Sequence, residues 1–181
     1  MSRHASPEHK AKVRRTGLDE EHLVAMGEVA YWSARLERTL TFVVMALVSD
    51  DDAETNQIGN VVTRGLSFSR LLDLGRQLVE LQRFEGQVRE LFKRLSSEAK
   101  TAMESRNHLL HGDWTTPRRG PATASLTRTK TTIDRVFTVE QVQDVAFDLA
   151  VLANRLFVLY LVVEGRIDYE ESASPDDFET R

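Results

Sequence analysis

The chain has 181 residues, 41% of them hydrophobic and 29% charged, with a formal net charge of −4. This length and apolar content predict a single domain whose hydrophobic core is large enough to be stable without cross-links. Folding should therefore need neither a metal nor a disulfide. The absence of cysteine excludes disulfides, thiolate nucleophiles and cysteine-based zinc sites, and it is compatible with a reducing compartment.

Hydropathy gives no indication of export or of a membrane span. Residues 1–17 are polar and basic and lack the apolar segment of a secretory signal. The longest apolar stretch, 149–163, is interrupted by Asn154 and Arg155 and is shorter than the roughly 20 residues that a span needs. We interpret this stretch as a buried helix and expect a cytoplasmic protein without a membrane partner.

Hydrophobic periodicity predicts four long helices and one short helix. Asp19, followed by two glutamates, suits the N-cap of the first helix. Thr138, with Gln141 three residues later, forms a capping-box pattern at the start of the last helix. Gly112 follows the third long helix and suits a left-handed C-cap. The predicted helical ranges are 19–48, 58–62, 67–83, 86–111 and 138–164.

The first helix carries a stripe of apolar residues at helical spacing, which predicts the face that packs into the core. The third long helix has the same period as far as its last turn, where polar residues interrupt it. Polar groups at positions that the pattern expects to be buried need a reason. The residues of the first helix expected to be buried are Leu23, Met26, Val29, Ala30, Leu36, Leu40, Val43 and Leu47.

The helical period is lost between residues 113 and 137, where threonines, prolines and glycines predict a loop or a small polar β-hairpin. The segment after Gly165 is acidic and has too few apolar residues to fold alone. The expected fold class is all-α: a helical bundle of four long helices with a short helix and a loop or small β-hairpin insertion before the last helix. Its parts are a basic N-terminal arm at 1–17, a helical domain at 18–164 that includes the basic insertion at 113–137, and an acidic tail at 165–181.

The polar residues that interrupt the apolar pattern in the last turns of the third long helix include three with useful chemistry. These are Arg106, Asn107 and His111. A histidine exchanges a proton near neutral pH, and a helix C-terminus favours its protonated form. An arginine cannot lose its proton and presents a planar fork of donors that matches phosphate oxygens. Cleavage of RNA by its own 2′-hydroxyl needs a base, an acid and positive charge at the phosphate, which these side chain types can supply.

The spacing of the three residues constrains how they meet. Asn107 and His111 are four residues apart and share a helix face. Arg106 and His111 are five residues apart, which rotates them by about 140° around a regular helix. Arg106 must therefore reach around the helix or come from a second subunit.

The segment Arg106-Asn107...His111 resembles the signature of the HEPN family, which is an arginine, a polar residue, about three further residues and a histidine. The helix order over residues 19–164 is loosely similar as well. The resemblance implies a metal-independent endoribonuclease without a cofactor, with Arg106, Asn107 and His111 as catalytic residues. It also implies a homodimer in which two motifs face one cleft, so that Arg106 would come from the second subunit. The setting it suggests is toxin–antitoxin or phage defence, with an antitoxin such as a nucleotidyltransferase-type protein.

A basic segment follows the motif directly. Five basic residues accompany one acidic residue between positions 114 and 135, although the whole chain is acidic. Positive charge at this place can steer a polyanion such as RNA toward His111. The alternative is a solvated loop whose charges serve solubility. The residues predicted to contact RNA phosphates are Arg118, Arg119, Arg128 and Lys130.

Other interpretations of the motif stay open. A histidine followed by a glycine is also a good helix end, so the alternative is a catalytically silent helical interaction or RNA-binding module. Glu104, His108 and His111 lie near one helix face and suggest a metal site. A bundle metal site normally takes a matching Glu-x-x-His pair from another helix, which is missing, so we predict no bound metal. Trp114 can stack on a base or pack into the core.

Overall fold

The computed structural model describes residues 18–49, 57–82, 86–115, 122–128 and 131–167. Five helices and a small three-stranded sheet lie within these ranges. This confirms the predicted all-α helical bundle with a short helix and a β insertion before the last helix. In chain order the elements are α1 (Glu20–Val48), α2 (Gln57–Thr63), α3 (Phe68–Leu81), α4 (Gly86–His111), β1 (Asp113–Thr115), β2 (Thr123–Arg128), β3 (Thr131–Val136) and α5 (Val139–Val163).

The starts of α1 and α5 are capped by the side chains that the sequence pattern indicates. The backbone N–H of His22 donates to the Asp19 carboxylate at 2.9 Å, so Asp19 is the N-cap of α1. At α5 the N–H of Gln141 donates to the Thr138 hydroxyl at 3.3 Å. The Thr138 N–H donates in return to the Gln141 side-chain oxygen at 3.0 Å. These two reciprocal bonds form the predicted capping box.

The sheet is antiparallel with strand order β1-β2-β3. Its β2–β3 pair is the predicted hairpin, with Ser125 opposite Asp134 in the register. The sequence pattern does not predict β1, because a three-residue strand is too short to show an alternation. In β1, Trp114 is paired with Ala124 of β2. The chain therefore leaves α4 and enters the sheet at once.

The described residues form two compact units. The first unit takes its residues from 1–30 and 104–146, and the second from 31–103 and 147–181. The sheet and the end of α4 belong to the first unit, which therefore contains the candidate site. Its apolar side chains without exposed surface are Val29, Leu109, Ala124 and Val142.

The buried face of α1 in the first unit differs from the predicted stripe. Leu23 is 47% exposed and Ala30 is exposed, whereas His22 and Ala25 are buried beside Val29. The prediction is wrong here because the ring of His22 has hydrogen-bond and aromatic partners inside this unit. A buried polar ring with partners avoids the cost of burying an unpaired one, so the helix turns this face inward.

In the second unit α3 packs closely on α4. A Cβ placed on Gly75 would lie 2.5 Å from Cζ of Phe92, so only glycine leaves room for that ring. Phe92 itself is fully buried. The Gln82 side chain donates to the Leu47 carbonyl near the end of α1. The predicted stripe is confirmed in this unit, where α1 buries Leu36, Leu40, Val43 and Leu47.

α5 has a buried side and an apolar outer side. Leu149, Leu152 and Leu156 are buried, but Phe147 is 59% and Phe157 is 45% exposed. The prediction of a buried helix is therefore right for one side of α5 only. Among the described helices, α5 is the one that is long and apolar enough to cross a membrane, a property that core helices of water-soluble proteins share.

Candidate active site

Gly112 joins α4 to β1 in a way that the sequence pattern does not predict. Its φ lies outside the left-handed region, and the left-handed glycines among the described residues are Gly65 and Gly165. A Cβ on Gly112 would lie 2.5 Å from the His108 carbonyl oxygen and 3.2 Å from Cβ of Ala124. Glycine is required here because the backbone passes close to its own helix and to β2. The predicted left-handed cap is wrong for this tertiary reason.

Trp114 anchors the end of α4. Its indole N–H donates to the Leu109 carbonyl at 2.8 Å, which satisfies one of the carbonyls left without a partner by the last helical turn. The ring centroid lies 6.0 Å from that of Phe137 and 6.3 Å from that of His22. These contacts favour the packing interpretation of Trp114 over base stacking. They also fix the last turn of α4, which carries His111.

His22 is a polar centre of this packing to which the sequence analysis assigns no role. Its Nδ1 lies 2.7 Å from the Asp19 carboxylate and its Nε2 lies 3.5 Å from the Phe137 carbonyl. The backbone N–H of His22 and then its imidazole lower the pKa of Asp19. The pKa of Glu140 is lowered chiefly by its own backbone N–H and by the Thr138 hydroxyl. The three-residue spacing from Asp19 to His22 is the sequence signal that indicates the pair.

The structure brings Arg106, Asn107 and His111 together within one chain. Nη1 of Arg106 donates to Oδ1 of Asn107 at 3.0 Å and lies 3.1 Å from Nε2 of His111. The spacing allowed Arg106 to reach around the helix or to come from a second subunit, and the resemblance favoured the second subunit. In the structure Arg106 instead reaches around the helix to His111 of its own chain. Arg106 and Asn107 are half-buried and His111 is exposed, so the group is accessible to a ligand.

The contact with Arg106 locates the proton of His111. A guanidinium only donates hydrogen bonds, so Nε2 of His111 must accept. A histidine that accepts at Nε2 is neutral and carries its proton on Nδ1. The arrangement therefore requires the neutral tautomer of His111 with its proton on Nδ1. It combines a basic lone pair on His111 with a permanent positive charge on Arg106.

The alternative metal site at Glu104, His108 and His111 does not assemble. His108 is 7% exposed, and its Nδ1 donates to the backbone carbonyl of Glu104 at 3.2 Å. Nε2 of His108 is buried and has no hydrogen-bond partner in the described part of the chain. Within the described ranges, no three histidine, aspartate or glutamate side chains are grouped so that they could hold a metal ion.

The predicted RNA contacts in the basic insertion are only partly placed. Arg118, Arg119 and Lys130 lie outside the described residues. Arg128 is the last residue of β2, and its side chain is not among those described. The arm at 1–17 also lies outside the described ranges. The steering role of these cations stays a prediction.

Comparison with known proteins gives no match: no protein-family model, no curated protein and no solved structure is significantly similar to this chain. Two features of this chain bear on its function: the contacts at the end of α4 and the resemblance of that segment to the HEPN signature.

Proposed function

We propose that the protein is a metal-independent endoribonuclease of the HEPN type, which cleaves RNA by attack of a 2′-hydroxyl. The observation that carries the proposal is the 3.1 Å contact between Arg106 Nη1 and His111 Nε2 at the accessible end of α4. This contact pairs a neutral base with a permanent cation, and phosphodiester transfer uses both kinds of group. The resemblance of the segment to the HEPN signature supports the same assignment.

In the proposed reaction, Nε2 of His111 removes the proton of the 2′-hydroxyl while the 2′-oxygen attacks phosphorus. The bond from the 2′-oxygen to phosphorus forms, the bond from phosphorus to the 5′-oxygen breaks, and His111 becomes an imidazolium with protons on both nitrogens. Arg106 donates to the phosphate oxygens that gain negative charge. The products are a 2′,3′-cyclic phosphate and, once the 5′-oxygen is protonated, a 5′-hydroxyl.

The 5′-oxygen needs an acid, which a homodimer can supply. Attacking and leaving oxygens lie roughly in line on opposite sides of phosphorus, so one histidine does not serve both in the same step. In a two-fold dimer, a second copy of the motif lies on the other side. Its His111, once it has left Arg106 and taken a proton from water at Nε2, donates that proton to the 5′-oxygen. The outer side of α5 offers an apolar surface for such a dimer. Its exposed and half-buried apolar residues are Phe147, Ala150, Val151, Phe157, Val158 and Leu161.

The biological setting is proposed from the resemblance. It is a cytoplasmic toxin–antitoxin or phage-defence system, in which an antitoxin such as a nucleotidyltransferase-type protein restrains the ribonuclease. RNA is the substrate, and the basic insertion at 113–137 holds its phosphates without reading sequence. The residues assigned to this role are Arg118, Arg119, Arg128 and Lys130.

A second candidate is a catalytically silent helical module that binds a protein or an RNA. The apolar outer side of α5 favours it, because exposed aromatic side chains such as Phe147 and Phe157 are typical of interaction surfaces. The two candidates differ in what they require of His111. An enzyme loses its activity without this imidazole, whereas a binding module does not need it.

RNA cleavage by the purified protein and two variants separates these candidates. His111→Ala should lose cleavage and keep its helical circular dichroism, because His111 is exposed. Arg70→Ala removes an exposed arginine of α3 and should cleave like the wild type. Full cleavage by His111→Ala would refute the catalytic assignment. A wild-type protein that binds RNA and never cleaves it would support the module.

Sedimentation of the same samples tests the dimer. We expect a two-fold dimer at micromolar concentration in the active protein. A monomer that still cleaves RNA at that concentration would contradict the shared site and leave the cleavage chemistry of His111 intact.

A further inference from the structure

We propose that Arg106 is a latch on the catalytic base, positioned by Asn107. The latch covers the Nε2 lone pair of His111 in the free protein and moves away when a phosphate anion binds. This inference rests on the proposed function and adds its regulation: the charge of the substrate itself frees the base.

One nitrogen atom forms the latch. Nη1 of Arg106 carries two hydrogens, and within the described residues its hydrogen-bond acceptors include two side-chain atoms. These are Oδ1 of Asn107 at 3.0 Å and Nε2 of His111 at 3.1 Å. Each N–H is therefore directed to one acceptor. While Arg106 stays there, Nε2 of His111 takes no other proton, so the free protein holds a neutral base that is blocked.

A phosphate anion competes with His111 for the same guanidinium. Hydrogen bonds with an ionised acceptor are stronger than those with a neutral one, and the planar fork of arginine engages phosphate through two donors at once. Nε2 of His111 offers a single neutral acceptor. The exchange of Arg106 from His111 to phosphate is therefore favoured, and it uncovers the lone pair next to the group on which it acts.

Asn107 is the positioning residue in this arrangement. It shares a helix face with His111, and its amide oxygen holds the Arg106 guanidinium in front of the imidazole. Asn107 thus acts through Arg106 and not on His111. Replacing Asn107 with leucine keeps the arginine and the histidine but removes the anchor, so the latch should release at a lower phosphate concentration than in the wild type.

Nuclear magnetic resonance of the full-length protein with ¹⁵N-labelled histidine measures the proton positions directly. Spectra at about pH 8, where an ordinary histidine is neutral, distinguish protonated from unprotonated ring nitrogens. His111→Gln identifies the signals of His111. We expect wild-type His111 to carry its proton on Nδ1 alone, and inorganic phosphate to shift its Nε2 signal. In Arg106→Met, His111 should exchange between both tautomers with and without phosphate.

His108 is an internal control in the same spectra. Its Nδ1 donates to the Glu104 carbonyl, so it has the same tautomer as His111 without the latch. Its signals should keep their pattern in every sample. Asn107→Leu should show partial loss of the fixed His111 tautomer and a lower midpoint in the phosphate titration, two changes that a purely structural role would not produce.

The outcomes separate the latch from the ribonuclease. A wild-type His111 with its proton on Nε2 overturns the latch, and so does a His111 signal that saturating phosphate leaves unchanged. If RNA is still cleaved in those cases, the ribonuclease stands. A His111 that responds as expected in a protein that does not cleave RNA supports the latch and refutes the ribonuclease.

Discussion

At the scale of single residues, Arg106 and His111 form one hydrogen-bonded pair. A hydrogen bond from the guanidinium to Nε2 requires the imidazole to carry its proton on Nδ1, and the imidazole in turn holds the guanidinium near the site proposed for a phosphate. Neither side chain keeps its proposed role when the other is removed. The kinetics of variants should therefore show coupling between the two positions.

Arg106→Ala and His111→Ala should each abolish RNA cleavage, and the double variant should cleave no more slowly than either single variant. Residues that act as a unit give losses that do not add in free energy. Rate constants for a single turnover measure this coupling, with circular dichroism as the check on folding. Losses that multiply in the double variant would show that the two residues contribute independently.

Asp19 gives the fold a pH dependence on the acid side. Hydrogen bonds from the backbone N–H and the imidazole of His22 lower its pKa in the folded protein. A lowered pKa contributes stability above the ordinary carboxyl value of 3.8, and this contribution is lost as the pH falls below it toward the folded pKa. Asp19→Asn keeps a capping oxygen but removes the charge. The difference in unfolding free energy between wild type and Asp19→Asn should therefore shrink as the pH falls through that range.

Urea unfolding at a series of pH values measures this difference. Asp144→Asn, which removes an exposed carboxylate of α5, gives the pH dependence expected from the loss of one surface charge. A difference between wild type and Asp19→Asn that stays constant from neutral pH to below 3.8 would contradict the role of the His22 hydrogen bonds.

The sequence predicts which residues belong to the candidate site better than it predicts their state. The four-residue spacing of Asn107 and His111 correctly places them on one face. The five-residue spacing of Arg106 and His111 leaves two possibilities, because a long arginine side chain can span the rotation that separates them. The proton position follows only from the contact of the two side chains, which no sequence pattern contains. Their catalytic roles stay predictions.

At the scale of secondary-structure elements, α3 packs closely on α4 because Gly75 has no side chain. Gly75→Ala should destabilise the protein by about 1–3 kcal/mol, because the new methyl group overlaps the buried ring of Phe92. Gly27→Ala is the matched control in α1, since a Cβ there meets nothing within 4 Å. This control should gain roughly 0.5–1 kcal/mol from helix propensity alone.

Chemical denaturation of the two glycine variants measures both effects. An equal gain in stability for Gly75→Ala and Gly27→Ala would show that the Phe92 ring moves aside without cost. We expect opposite signs because close-packed interiors do not absorb an added methyl group freely.

Helix positions could be predicted where the signal is local. The caps at Asp19 and Thr138 and the apolar stripes bring the predicted helix ranges close to those observed. β1 and the conformation of Gly112 depend on contacts with β2, which are distant in sequence and leave no periodic pattern. The hydrogen-bond partners of His22 determine which face of the first turns of α1 is buried. A pattern based on hydrophobicity alone predicts that His22 is exposed.

At the scale of the whole molecule, an acidic chain carries a basic segment that follows its candidate site directly in the sequence. Replacing Arg118, Arg119, Arg128 and Lys130 with glutamine should weaken RNA binding. The slope of log binding constant against log salt concentration should fall by the release of up to about four counterions. The sequence that is cut should not change, because phosphate contacts do not read bases. Binding isotherms at several salt concentrations measure the slope.

A variant with the same net charge shows whether RNA binding depends on where these cations lie or only on how many there are. It replaces four exposed basic residues elsewhere with glutamine, and its salt slope should stay close to that of the wild type. An equal change in both variants would mean that net charge alone attracts RNA. The four control positions are Arg64, Arg70, Arg94 and Lys100.

Arg106 and His111 are proposed to cleave RNA through its own 2′-hydroxyl and without a metal ion. The most direct test is the analysis of product ends after cleavage by the purified protein in the presence of a chelator. We predict 2′,3′-cyclic phosphate and 5′-hydroxyl ends, and no cleavage where the nucleotide before the cut carries a 2′-hydrogen. Activity that disappears with chelator and returns with Zn²⁺ or Mn²⁺, or products with 5′-phosphate ends, would contradict the account.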